Sequence, residues 1–464
     1  MAASIFLAAA QQADRRSISL KDLPESFRRF LTVPFLSEET FAEYRRGIDA
    51  SSRRRELDGE WEHAVYFALQ SNQFTSLPRI EPALSAAAYF NSLSQGDQKN
   101  FLEGTYPPTL YSKMPPGVQS RLDAFVDATD RPSPDPRLSF FHELLWKEPK
   151  PRRQVKLSFY DRFARAMRFL YLKEFGGEIA SESGPVSISR LYQERGYSLD
   201  TQIEANFGVR AGLEVIHAQH PEVRLERILV VGPGLDLAPR TDLIDLFPPQ
   251  TYQPYAVADA LIDLKMRRDD NWKIDCIDIN QRVVEVISDF PRGHRVLSLI
   301  SGIADIERHP LTNDYKDYFR SLGKNLGSVA PLTGLPPSYL NRLHKSVTVK
   351  KEIADKIQAE SLNIITERYD PSPDYDLVII TNVLTYFDPM QLAMAATNIS
   401  SMMRPGGFLI HNERRKDLME MTETLGLKLI QFRTTLIASN PKTPLYDNVF
   451  VHHQSGRPKT AIGN

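Results

Sequence analysis

The pattern of apolar and polar positions changes near residue 225. Before it, apolar residues recur every three or four positions, as at Trp61, Val65 and Leu69, which is helical spacing. Proline-rich stretches interrupt these helical segments and are predicted to form loops or linkers between them. This pattern predicts a mostly helical N-terminal domain over residues 1–190, in which we find no catalytic constellation.

Beyond that point, short apolar runs bounded by Gly, Asp and Pro alternate with helical stretches. Strands are predicted at 227–231, 273–278, 376–380, 407–411 and 446–451, and helices at 255–266, from 281 onward, and at 390–403. Continuous apolar strands are buried on both faces of a sheet, and their alternation with helices is typical of a parallel, doubly wound sheet. The sequence therefore predicts an α/β, Rossmann-like domain over residues 195–453, followed by a tail at 454–464.

Composition excludes several classes of protein. The 464 residues are 42% hydrophobic and 25% charged, as in ordinary globular proteins. Lys and Arg total 57 against 58 for Asp and Glu, and this balance gives no indication of a nucleic-acid partner. No stretch approaches the roughly 18 apolar residues of a membrane-spanning helix. We expect a soluble protein.

The expected location is the cytoplasm, because the lone cysteine, Cys276, cannot form an intramolecular disulfide. An apolar run at residues 4–10, followed by 11–13, leaves open a secretory signal. The run is short and lacks a basic leader, so a frayed helical turn is the favoured interpretation.

Candidate chemistry begins at the ends of two predicted strands. Gly232 and Gly234 follow the first strand and would let the backbone approach a ligand closely. A dinucleotide fingerprint would add a third glycine and an immediate helix, so a structural turn explains this motif almost as well.

Asp278 ends the next strand, where a carboxylate can accept both ribose hydroxyls at the ligand-binding edge of a parallel sheet. A nucleoside without a diphosphate, S-adenosylmethionine (SAM), fits this arrangement. The alternative is that Asp278 caps the helix starting near Gln281.

The densest motif spans residues 374–389 and continues at 404–410. It resembles the fourth strand, and the turn before the fifth, of class I SAM-dependent methyltransferases. More narrowly, it is similar to the chemotaxis-receptor glutamate methyltransferase (CheR-type) family, whose pattern reads roughly R-N-V-L-I-Y-F-D. The matching residues are Asn382, Val383, Leu384, Tyr386, Phe387 and Asp388. Segments 335–340 and 347–353 resemble that family's connection, and 361–365 its L-N-L strand.

The resemblance implies a set of site residues. The predicted cofactor-binding residues are Gly232, Gly234, Asp236, Asp278, Ile279, Asn363, Ile364, Asn382 and Val383. Asp236 occupies roughly the place of the family's acidic residue after the glycine loop. Tyr386 is the catalytic candidate and would line the acceptor side.

Three departures from the family pattern concern the acceptor more than the cofactor. The stretch between Gly234 and Asp278 is long and contains prolines, Thr381 replaces an arginine, and residues 206–210 only faintly match the family's N-terminal element. Glu413 ends the fifth predicted strand, where facing the acceptor and lying in a surface turn are equally favoured.

Simple interpretations suffice for two other motifs. The Arg53-Arg54-Arg55 run reads as a solvated helix face. The pair His452-His453 lacks the spacing of metal ligands and reads as solvated, so no metal site is predicted.

The function that these features predict is SAM-dependent transfer of a methyl group to a small molecule or a protein side chain. Transfer from a sulfonium depends mainly on alignment, so a missing acid–base signature does not count against it. One alternative is a catalytically silent SAM-binding or scaffold protein, favoured by the imperfect glycine loop. A nicotinamide-dependent oxidoreductase is less favoured because the phosphate fingerprint is incomplete.

Overall fold

The computed structural model describes residues 14–30, 37–176, 188–236, 245, 248–440 and 444–456. Its α-helices are α1 (Glu38–Gln70), α2 (Pro82–Ser92), α3 (Gln95–Glu103), α4 (Pro116–Ala128), α5 (Pro136–Trp146), α6 (Arg152–Phe175), α7 (Ile188–Glu194), α8 (Ala205–Gln219), α9 (Gln253–Asp263), α10 (Gln281–Asp289), α11 (Asn313–Ser321), α12 (Lys351–Ala354), α13 (Pro389–Met402) and α14 (Lys416–Thr424). The strands are β1 (Asp14–Ser17), β2 (Arg227–Val231), β3 (Lys273–Asp278), β4 (Val296–Ala304), β5 (Gly327–Ala330), β6 (Arg342–Val349), β7 (Ile357–Ser361), β8 (Glu367–Asp370), β9 (Tyr375–Ile380), β10 (Met403–His411), β11 (Leu427–Ala438) and β12 (Leu445–Gln454).

A seven-stranded sheet organises the C-terminal half of the described chain, in the order β11-β12-β10-β9-β2-β3-β7. The five strands from β10 to β7 run parallel, whereas β12 pairs antiparallel with both of its neighbours, β10 and β11. All six residues of β9 are buried, as expected of a strand covered on both faces. The predicted α/β, Rossmann-like sheet with a mostly helical N-terminal region is confirmed.

Helices cover both faces of this sheet. Residues of α8, α9 and α10 pack on one face, against side chains such as Ile228 and Val230. On the other face, α13 and α14 pack against Leu229 and Val231. Alternate residues of β2 thus point to opposite faces, as the two-residue period of a strand requires.

The N-terminal region completes the second face of the sheet. The connection from β7 to β9, at residues 362–374, contains the short strand β8 and no α-helix. There β1 pairs antiparallel with β8, and Phe41 and Ile48 of α1 pack in the same core as the sheet residues. The covering that a crossover helix would supply therefore comes from the start of the chain.

Helix α1 joins this core to a second one. Its 33 residues extend over about 50 Å, and its last turns, including residues 64–69, are buried on all sides. They pack with α2, α4, α5 and α6 in an aromatic core in which the rings of Phe67, Phe125 and Phe141 meet at 4.9–6.0 Å. Because α1 belongs to both cores, the domain boundaries at residues 190 and 195 stay predictions.

A small antiparallel sheet, ordered β4-β6-β5, is inserted between β3 and β7. It accounts for much of the long connection between those parallel strands. None of the helices in the described ranges combines the length and apolar character that a bilayer crossing requires. The apolar run at residues 4–10, for which a frayed helical turn or a secretory signal is considered, and the tail beyond residue 456 lie outside the described residues.

Two local predictions are wrong. Residues 361–365 do not form a strand, because β7 ends at Ser361 and Asn363 closes a turn by accepting a hydrogen bond from the Ile365 N–H at 3.2 Å. His452 is not solvated, because β12 pairs with β10 and places its ring in the interior. Its Nε2 lies 2.9 Å from Nε2 of His411.

Two glycines of α1 provide a matched test of its packing. A Cβ on Gly59 would overlap the Tyr197 carbonyl, whereas a Cβ on Gly47 would meet nothing. We expect Gly47→Ala to stabilise the protein by about 0.5–1 kcal/mol through helix propensity. Gly59→Ala should destabilise it by about 1–3 kcal/mol through overpacking. Midpoints of urea unfolding measure both changes, and equal stabilisation by the two substitutions would contradict the close approach of α1 to Tyr197.

Candidate functional site

A cavity of about 830 Å³ lies at the carboxyl ends of the parallel strands, the edge at which open α/β sheets bind ligands. Its volume is in the range of small-molecule pockets, roughly 300–1,000 Å³. Nine of the ten predicted site residues line it: Gly232, Gly234, Asp278, Ile279, Asn363, Ile364, Asn382, Val383 and Tyr386. The structure thus brings together residues that are up to 154 positions apart in the chain, from Gly232 to Tyr386.

Both glycines of the loop after β2 have left-handed backbone angles, with φ of 65° at Gly232 and 66° at Gly234. A Cβ on Gly232 would overlap Val383, and one on Gly234 would lie 2.8 Å from the Leu199 carbonyl oxygen. The protein's own packing therefore accounts for the two glycines, in addition to their position at the cavity.

Asp278 ends β3 with its carboxylate at the cavity wall. The Asn280 N–H donates to it at 2.9 Å. Burial raises the pKa of Asp278 to about 6, although backbone N–H groups of Asn280 and Gly234 oppose the rise. The alternative that Asp278 caps the next helix is wrong, because Asn280 caps α10 by accepting from the Arg282 N–H at 2.9 Å.

Asn363 and Ile364 lie in the turn after β7. The Asn363 amide donates to Asp49 of α1 at 3.0 Å while its oxygen accepts from Ile365. Asn363 therefore fixes α1 to the cavity wall, and both of its polar side-chain atoms are engaged within the protein. Ile364 is buried and contributes apolar lining.

Asn382 follows β9 in a left-handed conformation, with φ of 59°. Its N–H donates to Oδ1 of Asn412 at 2.9 Å, and Nδ2 of Asn412 donates back to Oδ1 of Asn382 at 2.8 Å. This reciprocal pair joins the ends of β9 and β10. Among the described residues, Nδ2 of Asn382 has no hydrogen-bond partner, which leaves it as a donor for a ligand.

Tyr386 lies in the turn after β9, between two other tyrosines. Its ring meets those of Tyr192 and Tyr197 edge-on, with centroids 5.5 Å away in each case. The Ser198 N–H donates to its hydroxyl oxygen at 3.3 Å. Burial raises the pKa of Tyr386 to about 12, so the hydroxyl stays protonated at neutral pH and cannot serve as a base.

Arg55 corrects the interpretation of the arginine run. Arg53 and Arg54 are exposed, as expected of a solvated helix face. Arg55 instead donates to the carbonyls of Tyr386 at 3.0 Å, Tyr192 at 2.8 Å and Arg195 at 2.9 Å. The residues next to Arg55 in the sequence do not indicate these hydrogen bonds, because all three partners come from distant parts of the chain.

Glu56, next along α1, is a cavity residue that the sequence analysis missed. Burial raises its pKa to about 7, and the charges of Glu60 and Asp278 add to the rise. Glu60 itself accepts from the Asn280 amide at 3.0 Å and from Arg282 at 3.1 Å. The N-terminal region thus contributes a carboxylate near Asp278, although its sequence shows no catalytic motif.

Glu413 and Asp447 occupy another part of the cavity wall, after β10 and within β12. Burial raises the pKa of Glu413 to about 7 against the opposing charge of Arg415, and the charge of Asp447 adds to the rise. Burial also raises the pKa of Asp447 to about 6, opposed by hydrogen bonds from Asn448 and Asn412. Of the two alternatives for Glu413, the structure supports the one facing the cavity.

Asp236 is the one predicted site residue that does not line the cavity. The backbone before it exchanges hydrogen bonds with the segment before α8, Leu235 donating to Leu199 and Thr201 donating to Leu235, both at 2.8 Å. The Asp236 N–H donates to the Gln250 carbonyl at 2.7 Å, and both carboxylate oxygens are buried with no hydrogen-bond partner among the described residues. Burial raises the pKa of Asp236 to about 8.

Within the described ranges, no group of three or more His, Cys, Asp or Glu side chains is arranged to hold a metal ion.

Part of the chain that lines the cavity matches a known family model. Residues 329–428 match the family model described as "CheR methyltransferase, SAM binding domain". The protein is a SAM-dependent methyltransferase. The matched stretch contains β7, β9 and β10 with Asn363, Asn382 and Tyr386, and it begins after Asp278. The cofactor of this methyltransferase is SAM, and its acceptor is unspecified.

Solved structures provide weaker similarities. The N-methyltransferase NodS from Bradyrhizobium japonicum WM9, in complex with S-adenosyl-L-homocysteine, is 12% identical over 55% of this chain and 90% of its own, with a TM-score of 0.27. Magnesium protoporphyrin IX methyltransferase from Synechocystis PCC 6803, with bound SAM, is 11% identical over 63% and 97%, also at 0.27. These similarities are too weak to bear on the acceptor. No curated protein matches the chain.

Proposed function

We propose that the cavity at the strand ends is where this methyltransferase binds SAM and transfers its methyl group. The observation that carries the proposal is that Asp278 and Asn382, from β3 and β9, line one cavity although they are 104 positions apart. A carboxylate and an unpaired amide donor at this edge match the ribose hydroxyls and the polar groups of an adenosine ligand.

The rest of the wall fits the same ligand. Ile279, Ile364 and Val383 supply apolar surface beside Asp278, which suits the faces of an adenine ring. Asn382 would meet the amino-acid end or the adenine, since an amide both donates and accepts. When bound, SAM supplies a methyl group on a sulfonium, with a neutral leaving group.

The residues of this chain act chiefly by positioning. Methyl transfer from a sulfonium depends mainly on alignment of the donor and the acceptor. Tyr386 is protonated and packed between two other tyrosines, so its ring is a fixed surface against which the two ligands can be aligned. Arg55 and Asn363 hold α1 against the same wall. In this proposal the N-terminal region closes the cavity and excludes water while the acceptor is bound.

The acceptor in this proposal is a small molecule or a protein side chain and not a nucleic acid, because the cavity wall is acidic and the net charge of the chain is -1. We also propose a cytoplasmic location, supported by the single cysteine, which is buried and free.

Removing the Asp278 carboxylate tests the cofactor site. Asp278→Ala should lose about 1–3 kcal/mol of affinity for SAM, because two hydrogen bonds to the ribose disappear. Calorimetry with SAM and S-adenosylhomocysteine measures the loss, and NAD serves as a ligand control. Asp270→Ala is the matched variant, since its side chain is almost fully exposed outside the cavity. Unchanged affinity in Asp278→Ala, or tight binding of NAD alone, would overturn the assignment.

The raised pKa of Asp278 predicts a pH dependence. An ionised carboxylate accepts from both ribose hydroxyls, so binding favours the ionised form. Affinity for S-adenosylhomocysteine should therefore fall as the pH is lowered through about 6, by at most about tenfold per pH unit. Asp278→Asn should abolish that part of the dependence. A variant that keeps the full decrease would assign it to other cavity carboxylates, such as Glu56, and contradict the role of Asp278.

A further inference from the structure

The cavity wall is strongly acidic. Its acidic residues are Glu56, Glu81, Glu174, Asp200, Glu204, Asp278, Glu413 and Asp447, and its basic residues are Lys173 and Arg195. Arg195 is neutralised by a buried ion pair with Glu62. Asp278 is assigned to the ribose in the proposed function, which leaves other carboxylates for a second ligand.

Two of these carboxylates, Glu413 and Asp447, lie close enough for their charges to interact. Each raises the free-energy cost of the other's charge, since the charge of Asp447 raises the pKa of Glu413. The nearby guanidinium of Arg415 donates to Asp417 at 3.0 Å and to the Phe387 carbonyl at 2.6 Å. Within the described part of the chain, neither Glu413 nor Asp447 has a salt bridge.

Glu204, at the start of α8, is a third carboxylate of the same wall. It is only 5% exposed. Its Oε1 accepts from the Ser301 hydroxyl at 2.7 Å, the Gly302 N–H at 2.8 Å and the Tyr315 hydroxyl at 2.9 Å. Its Oε2 is buried and has no hydrogen-bond partner among the described residues. A buried acceptor left unpaired is costly, and a donor on a bound ligand would remove that cost.

Asn412 connects this acidic group to the cofactor side. Its amide donates to Oδ1 of Asn382 at 2.8 Å, and its side chain also hydrogen-bonds Asp447. The cofactor side of the cavity and the acidic group are therefore adjacent. The donor and the acceptor of one methyl group must be adjacent in this way.

We propose that the methyl acceptor is an amine, held as its ammonium form by Glu413, Asp447 and Glu204. This inference rests on the proposed function of the cavity. A carboxylate acceptor, which resemblance to receptor glutamate methyltransferases would suggest, would meet three carboxylates there. Lys173, the other basic residue of the wall, lies over the Tyr192 ring at 6.0 Å and makes no ion pair with these carboxylates in the described chain. A buried charge without a counter-charge is strongly disfavoured, whereas an ammonium supplies the missing counter-charge.

The transfer balances with Glu413 as the proton acceptor. The ammonium passes one proton to the Glu413 carboxylate, which exposes the nitrogen lone pair. A C–N bond to the methyl carbon forms as the C–S bond breaks, and the bonding electron pair stays on sulfur to give neutral S-adenosylhomocysteine. The methylated nitrogen becomes positively charged, and Glu413 returns its proton to solvent after release of the product.

Binding of sinefungin tests the inference without turnover, because this SAM analogue carries an amine in place of the methyl-bearing sulfonium. We expect the wild-type protein to bind sinefungin more tightly than S-adenosylhomocysteine. Glu413→Gln and Asp447→Asn should each weaken sinefungin by about tenfold, the scale of a charge-assisted hydrogen bond, while S-adenosylhomocysteine binding is unchanged. Glu423→Gln, on the exposed surface of α14, is the control. Equal weakening of both ligands, or none, would overturn the inference.

The linkage in the product gives a second readout. Isotopically labelled methyl from SAM should reach a nitrogen atom of a cell-extract component and survive mild alkali. Release of the label as methanol would identify a carboxyl ester, and mass spectrometry that places it on oxygen, sulfur or carbon would equally overturn the amine. If S-adenosylhomocysteine does not bind at all, the proposed function is wrong. If it binds but the sinefungin and product-linkage results contradict an amine acceptor, only the amine inference is wrong and the cofactor site is retained.

Discussion

The guanidinium of Arg55 makes the contact on which the site depends. From α1 it donates to the carbonyls of three residues, and one of them, Tyr386, is in the turn after β9 that forms part of the cavity wall. Hydrogen bonds from a charged donor are worth about 1.5–3 kcal/mol each. This single side chain therefore fixes the N-terminal helix, the tyrosine cluster and the strand ends in one arrangement.

That arrangement also explains the missing crossover helix. Because no helix lies between β7 and β9, the part of one sheet face that α13 and α14 do not cover would be open to water without the N-terminal segment. Phe41 and Ile48 cover it, and the same helix then brings Glu56 to the cavity. The N-terminal region is thus part of the sheet's core and of its ligand-binding edge, and removing it would expose both.

Sequence reasoning succeeded where local pattern determines structure. Strands β2 and β3 have the predicted bounds because unbroken apolar runs ending in Gly or Asp leave little choice of register. It failed where contacts join distant segments. Arg55 and Glu56 resemble any charged helix residues, but the hydrogen-bond partners of Arg55, and Asp278 near Glu56, come from distant parts of the chain. Asp236 does not line the cavity, and the residue before it, Leu235, pairs with Leu199 from a distant part of the chain.

The central claim is that adenosine lies between the ends of β3 and β9. A crystal structure of the full chain with S-adenosylhomocysteine tests it most directly. The account predicts both ribose hydroxyls within hydrogen-bond distance of the Asp278 carboxylate and the ligand reaching Asn382. A ligand bound elsewhere, or a cavity in which Asp278 contacts only protein groups while the ligand is bound, would contradict it.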